Sequence, residues 1–139
     1  YFSKPAPKST GREQFNMAWL QEQMTLCSST SAPQDVQATL LELTARTISD
    51  QIRTFSAEGV SDIFVCGGGS HNQTLLKRLS QLLSPIKVNT TDALGLHPDW
   101  VEACAFAWLA KQTLNGLSGN LPDVTGARGE RILGAIYPA

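Results

Sequence analysis

Ile63-Phe-Val-Cys66, followed at once by Gly67-Gly-Gly69 and then Ser70-His-Asn-Gln73, is the stretch on which the fold turns. The first segment is a short continuous apolar run rich in β-branched and aromatic side chains, the pattern of a strand buried on both faces. Ser70 and Gln73 have the spacing of a capping box, in which each side chain satisfies an orphan backbone N–H at a helix start. Strand, glycines and capped helix make a platform for a phosphate or nucleoside, because glycine admits close approach to the backbone and a helix N-terminus offers unpaired donors. A tight strand-to-helix turn with positive φ would need the same glycines, and the residues alone leave both readings standing. The lysine of a P-loop and the spacing of the dinucleotide fingerprint are both missing.

Outward from this stretch the periodicity alternates between helix and strand. Upstream, Val36, Leu40, Leu41, Thr44, Ile48, Ile52 and Phe55 recur at three- and four-residue steps. They predict a long amphipathic helix from about Asp35 to Phe55, entered at Pro33 and ended by Glu58-Gly59. Downstream, Leu75, Leu76, Leu79, Leu82 and Leu83 form the buried stripe of the next helix, and Pro85 stops it. Ile86-Lys-Val88 predicts a second strand leading into the polar turn Asn89-Thr-Thr-Asp92. Pro98 opens a further helix whose Val101, Cys104, Ala105, Trp108 and Leu109, interleaved with alanines, give a small-residue face for close packing. Strands alternating with helices place the chain in the α/β class.

The two ends are less regular. Residues 1–9, with Pro5 and Pro7, predict an extended lead-in without a core of its own. Thr10-Gly-Arg-Glu13 has capping-box spacing before a helix with Phe15, Ala18, Trp19 and Leu20 on its apolar side, and the polar run Ser28-Ser-Thr-Ser31 breaks it. Asn115 to Arg131 reads as irregular, and Ile132-Leu-Gly-Ala-Ile136 as a final strand or a core-docking segment.

The 139 residues fit one domain or one lobe of a larger two-lobed protein. With 42% hydrophobic and 17% charged residues the balance is that of a globular chain, and a formal net charge of -1 supplies no field for nucleic acid or anionic membrane. Cys27, Cys66 and Cys104 show no metal-ligand spacing; Cys66 and Cys104 are read as small buried hydrophobes, and reduced thiols suit the cytoplasm. No stretch approaches the roughly 20 apolar residues of a membrane span, and there is no signal-peptide pattern. The first residue is Tyr1 rather than Met, which suggests processing or a fragment.

Several polar residues are candidates for chemistry. His71 and Asn72 stand at the helix start, where their side chains reach either a ligand or local backbone groups. For His71 the local role is favoured, since no carboxylate lies near it in sequence. His97 precedes Pro98 and reads as a residue at the mouth of a helix, so a two-histidine metal site is not expected. Asp99 sits where the macrodipole favours a capping acid. Glu102 lies one turn into a helix among Trp100, Val101, Ala103 and Cys104, where a solvated glutamate is less expected. Asp92 either fixes its own turn or serves a ligand. Lys8-Ser-Thr-Gly11 has a cation, two hydroxyls and a glycine, the parts of an anion contact or of a capped helix with a solvated lysine. Trp19, Trp100 and Trp108 are read as core.

Lys8-Ser-Thr-Gly-Arg-Glu13-Gln-Phe15-Asn16, Val65-Cys-Gly-Gly-Gly-Ser-His-Asn72, Thr91-Asp-Ala-Leu-Gly95 and Pro98-Asp-Trp-Val-Glu-Ala-Cys-Ala-Phe-Ala-Trp108, with Gly119-Asn-Leu-Pro-Asp-Val-Thr-Gly126 and Gly134-Ala-Ile-Tyr-Pro138, together resemble the anhydro-N-acetylmuramic acid kinase family. The resemblance spans essentially the whole chain. It implies an α/β lobe of the actin-like, ribonuclease H-like ATPase type, with a mixed sheet and flanking helices, truncated N-terminally. Residues 1–139 would be the C-terminal nucleotide-binding lobe of a two-lobed kinase acting with ATP and Mg2+ in the cytoplasm, in cell-wall recycling. The implied reaction opens the 1,6-anhydro ring with water while the γ-phosphate passes to the sugar 6-oxygen.

The family's phosphate loop and catalytic aspartate lie in the N-terminal lobe and match nothing here, so the resemblance implies no catalytic residue in this chain and no turnover by it alone. Gly67, Gly68, Gly69 and Asn72 match the adenosine-binding turn, and Lys8 joins them as a nucleotide candidate. Glu102, and less strongly Asp92, are the sugar candidates. The pattern departs at His97, where an acidic residue is expected before Pro98. Implied partners are ATP, an anhydro amino sugar and the N-terminal lobe, with no nucleic acid and no membrane; a homodimer is left open. The alternatives are a non-catalytic ATP-binding regulatory or scaffold module, or a kinase for another amino sugar.

Overall fold

The computed structural model describes residues 1–5, 7–27, 30–56 and 59–137. Along the chain run α1 (Met17–Leu26), α2 (Pro33–Phe55), β1 (Asp62–Val65), a 3-10 turn (Gly68–His71), α3 (Gln73–Leu83), β2 (Lys87–Thr90), further 3-10 turns (Thr91–Leu94 and Pro98–Trp100), α4 (Val101–Leu114) and a short α5 (Pro122–Thr125). Ser28, Ser29, Glu58 and Pro138, used above as a helix break, a helix end and a motif end, lie outside the described residues. The chain divides into two compact units, Gln34–Trp108 and Tyr1–Pro33 with Leu109–Ala139.

In the unit Gln34–Trp108, β1 and β2 pair in parallel, with Asp62 opposite Lys87 and Val65 opposite Thr90. Parallel neighbours need a crossover, and α3 supplies it. The α/β class is therefore as expected, whereas the sheet among the described residues is parallel and two-stranded rather than mixed. Ala45, Leu79 and Leu83 form the buried centre, with Ile52, Ile63, Val65, Leu75, Leu82, Ile86 and Val88 packed on it. Alternation along β1 puts Ile63 and Val65 on this face together. The strand is half-buried along its length rather than buried on both faces.

Helix α2 keeps its expected span, but its centre of contact is different. The residues it buries are Ala45 and Ser49, while Ile48 and Phe55 remain exposed. Small side chains let a helix approach its neighbours closely, and the Ser49 hydroxyl satisfies itself by donating to the Ala45 carbonyl at 2.7 Å. A polar residue that closes its own hydrogen bond is acceptable inside, which a count of apolar residues misses. Cys66 and Cys104 are also exposed rather than buried. With Trp100 and Trp108 likewise exposed, the small-residue face of α4 is open to solvent among the described residues.

An ion pair ties α2 to α3. Arg78 donates from Nε to Glu42 Oε2 and from Nη2 to Glu42 Oε1, each at 2.7 Å, and Arg46 adds Nε to Oε1 at 2.6 Å. The fork geometry is the strong form of this contact. The Arg78 and Arg46 guanidiniums hold the Glu42 carboxyl down at about 2. A depressed carboxyl adds stability that is complete above its unfolded value and is lost as pH falls through the folded one. The urea midpoint of the chain is therefore expected to decline between about pH 4.5 and about 2, and Glu42→Gln to flatten part of that decline. Identical acid slopes for the two proteins would disprove this account of the pair.

In the other unit, Asn16 rather than Thr10 caps α1, its Oδ1 accepting from Trp19 N at 3.1 Å. The Thr10 hydroxyl is turned instead to Gln14 Oε1 at 3.0 Å, so the helix starts later than the Thr10–Glu13 spacing suggests. Within residues 1–9, Lys4 N closes a turn on Tyr1 O, and the Tyr1 and Phe2 rings pack on Phe15, itself edge-on to Trp19. The tail expected to be irregular contains α5, which Pro122 opens at its first position and Gly126 ends. Residues 132–136 form no strand. Nor do they enter a core, since Ile132, Leu133 and Ile136 are exposed; the backbone lies against α4, where Thr113 Oγ1 donates to Leu133 O at 3.0 Å and a Cβ at Gly134 would come within 2.7 Å of that hydroxyl.

Candidate functional site

At the carboxyl end of the sheet, β1 runs into Gly67 and β2 into Thr91 and Asp92. This end of a parallel sheet is where loops gather ligands. Gly67 has φ 69 and ψ -169, a left-handed backbone that favours glycine. Its N–H donates to Pro98 O at 3.1 Å, which lays the glycine turn against the turn Pro98–Trp100. From inside, the Ser70 hydroxyl donates to Gly67 O at 2.7 Å. Ser70 is thus a buried staple of the turn, and the capping role expected of it belongs to Asn72, whose Oδ1 accepts from Leu75 N at 3.0 Å. The carbonyl oxygen of the Asn72 amide is engaged, and its nitrogen is the end that can donate outward.

Gly68 and Gly69 differ from Gly67. Neither has a positive φ; a Cβ at Gly68 would meet nothing within 4 Å among the described residues, and one at Gly69 only Leu75 Cδ2 at 4.0 Å. Both are exposed. The two readings of the triplet therefore divide between its members. Backbone conformation accounts for Gly67, and the packing of the described chain does not require glycine at 68 or 69.

Beside the turn, His71 Nε2 lies 2.7 Å from Asp99 Oδ1. The carboxylate that the local sequence lacks comes from 28 residues away, so the structural contact of His71 is with a distant side chain rather than with local backbone groups. Asp99 is not itself the cap of its turn. The His97 ring takes that role, Nδ1 accepting from Asp99 N at 3.3 Å, so the departure noted at His97 preserves a cap by another chemistry.

Asp92 is exposed, with Oδ2 accepting from Thr90 Oγ1 at 3.3 Å. Glu102 is exposed in the first turn of α4, three positions beyond Asp99. Lys8 belongs to the other unit, where its ammonium donates to Phe2 O at 3.3 Å and Lys4 O at 3.0 Å and sits 5.2 Å from the Tyr1 ring centre. A groove that sequence reasoning missed runs between the first turns of α2 and the start of α3, lined by Gln34, Gln37, Ala38, Leu41, Asn72 and Leu75 among others. Its lining mixes apolar Ala38, Leu41 and Leu75 with the amides of Gln34, Gln37 and Asn72 and the hydroxyls of Thr44 and Thr74. Among the described residues no group of three His, Cys, Asp or Glu side chains gathers to hold a metal ion.

A family model described as anhydro-N-acetylmuramic acid kinase matches residues 1–139. Curated proteins of that name include one from Nitrosomonas europaea, 57% identical over 139 residues, and one from Pseudomonas syringae pv. syringae, 54% identical over 140 residues, both matched by the whole of this chain. Another, from Coxiella burnetii, is 53% identical over 137 residues and 99% of this chain. The chain spans 36% to 38% of the length of these relatives, in their C-terminal part.

Proposed function

The chain belongs to the anhydro-N-acetylmuramic acid kinase family, and from that premise we propose that it is the nucleotide-binding, actin-like C-terminal lobe of an ATP-dependent kinase for 1,6-anhydro-N-acetylmuramic acid, acting in the cytoplasm in cell-wall recycling. The observation that carries the nucleotide role is the pair Gly68 and Gly69, open and exposed at the carboxyl edge of the parallel strands without a positive φ. There a phosphate or ribose can come against bare backbone, and the groove beside Asn72 takes the base. No described helix is long and apolar enough to cross a membrane.

In the proposed reaction water opens the anhydro bridge while the γ-phosphate passes to the sugar 6-oxygen, giving N-acetylmuramic acid 6-phosphate. Phosphoryl transfer depends on positioning and on neutralising charge rather than on a protein nucleophile. This lobe contributes the positioning: the glycine turn and Asn72 fix the nucleotide, and Glu102, with Asp92 as a second acid, faces the sugar hydroxyls. Magnesium would neutralise charge on the phosphates, but no group of three His, Cys, Asp or Glu side chains among the described residues fits it. Lys8 is retained as an anion contact.

A full-length kinase in which this chain replaces the matched residues of a relative tests the reading. It is expected to phosphorylate anhydro-N-acetylmuramic acid in preference to N-acetylmuramic acid and N-acetylglucosamine, whereas the 139 residues alone bind ATP without turnover. A chimaera inert on the anhydro sugar, or preferring one of the others, overturns it.

A further inference from the structure

We infer that His71 and Asp99 are positioning residues that lock the glycine turn in its nucleotide-receiving shape without themselves touching nucleotide or sugar; the inference rests on the nucleotide reading above. Two contacts join this turn to the neighbouring one, and they fall at its two ends. Gly67 N donates to Pro98 O at 3.1 Å at the start, and His71 meets Asp99 at 2.7 Å at the finish. Residues 67 and 71 are thus fastened to the adjacent residues 98 and 99, with Gly68 and Gly69 held between. Glycine has the most conformational freedom to lose, so a turn pinned at one end only would sample many shapes, and the nucleotide would have to order it on binding. Fastening both ends removes that burden before the ligand arrives, which raises affinity by pre-organisation.

The supports of the pair agree with this role. The His97 ring accepts from Asp99 N and fixes the backbone from which the Asp99 carboxylate projects. The Ser70 hydroxyl, next to His71, is bound to Gly67 O inside the turn. Asn72, the candidate that caps α3 and borders the groove, follows His71 directly. A shift of His71 therefore moves the residues on either side of it, one packed under the turn and one facing the groove.

The test uses the full-length chimaera and ATP, with steady-state KM for ATP and for the anhydro sugar measured separately. His71→Ala and Asp99→Ala are each expected to raise the KM for ATP about fourfold, the scale of one net hydrogen bond, with the sugar KM unmoved. The double variant should be no worse than either single one, because residues acting through one contact are not additive. His71→Gln, whose amide can still donate to Asp99, should recover most of the loss. A merely structural loss would lower the active fraction without separating the two KM values. If His71→Ala leaves the KM for ATP unchanged while Gly68→Asp raises it, the inference fails and the nucleotide reading stands. If neither change affects ATP, the reading itself falls. Full additivity in the double variant also overturns the pairing.

Discussion

Gly68→Asp in the full-length chimaera is expected to raise the KM for ATP at least about thirtyfold, since like-charge juxtaposition across an interface costs several kcal/mol, and to leave the thermal midpoint nearly unchanged. The two halves of this expectation have separate grounds. Stability should hold because a Cβ at Gly68 meets nothing within 4 Å among the described residues and the backbone has no positive φ. Binding should fail on the proposed reading, in which the new carboxylate stands where a phosphate or ribose comes against bare backbone. Gly67→Ala supplies the contrast. Its φ of 69 with ψ -169 is a backbone that essentially only glycine adopts, where a side chain costs about 1–3 kcal/mol, so the midpoint should drop whether or not ATP is present. Should Gly68→Asp destabilise the protein while leaving ATP affinity intact, the division of labour within the triplet is wrong and the turn is a structural one throughout.

Element positions read from periodicity agreed with the structure, whereas the caps read at Thr10 and Ser70 and the contacts between distant partners did not follow from local pattern. The leucine stripe of α3 follows from a 3.6-residue period, and Leu79 and Leu83 are indeed its buried members. Pro33 begins α2, and β1 overlaps its apolar run, starting at Asp62 and ending at Val65, one residue short of Cys66. The glycine turn was legible as a turn, but the separate role of Gly67 depends on a torsion that three identical letters do not reveal. Ser70 and Asn72 both have capping chemistry, and only the intervening 3-10 turn decides which of them reaches the helix. The His71–Asp99 and Glu42–Arg78 contacts bridge 28 and 36 residues. No spacing rule joins such pairs, because the parallel crossover and the docking of α2 on α3 bring them together. The face of α4 was misread for a related reason. Composition shows that Trp100, Cys104 and Trp108 are able to pack, but burial also requires something placed against them, and in the described residues they are exposed.

Leu83→Ala should be the most damaging single change to the fold of the unit Gln34–Trp108, lowering stability by about 2–5 kcal/mol. Leu83 is 1% exposed and is the largest fully buried side chain among the described residues. It shares the centre of the core with Leu79 and Ala45, where α2, α3 and the sheet meet. Domains are stable by only about 5–15 kcal/mol in all, so a loss of this size removes a large share of the margin. Phe55→Ala, at a larger side chain that is 65% exposed, should change the urea midpoint little, which separates burial from side-chain size. Equal shifts for the two variants would mean that the core is not where the packing puts it. The consequence reaches the site through α3, which carries Asn72 at its N-cap and Leu83 at its last position. As Leu83→Ala approaches its lowered midpoint, the KM for ATP should rise before turnover is lost, because the cap and the groove beside it depend on a helix whose far end has lost its anchor.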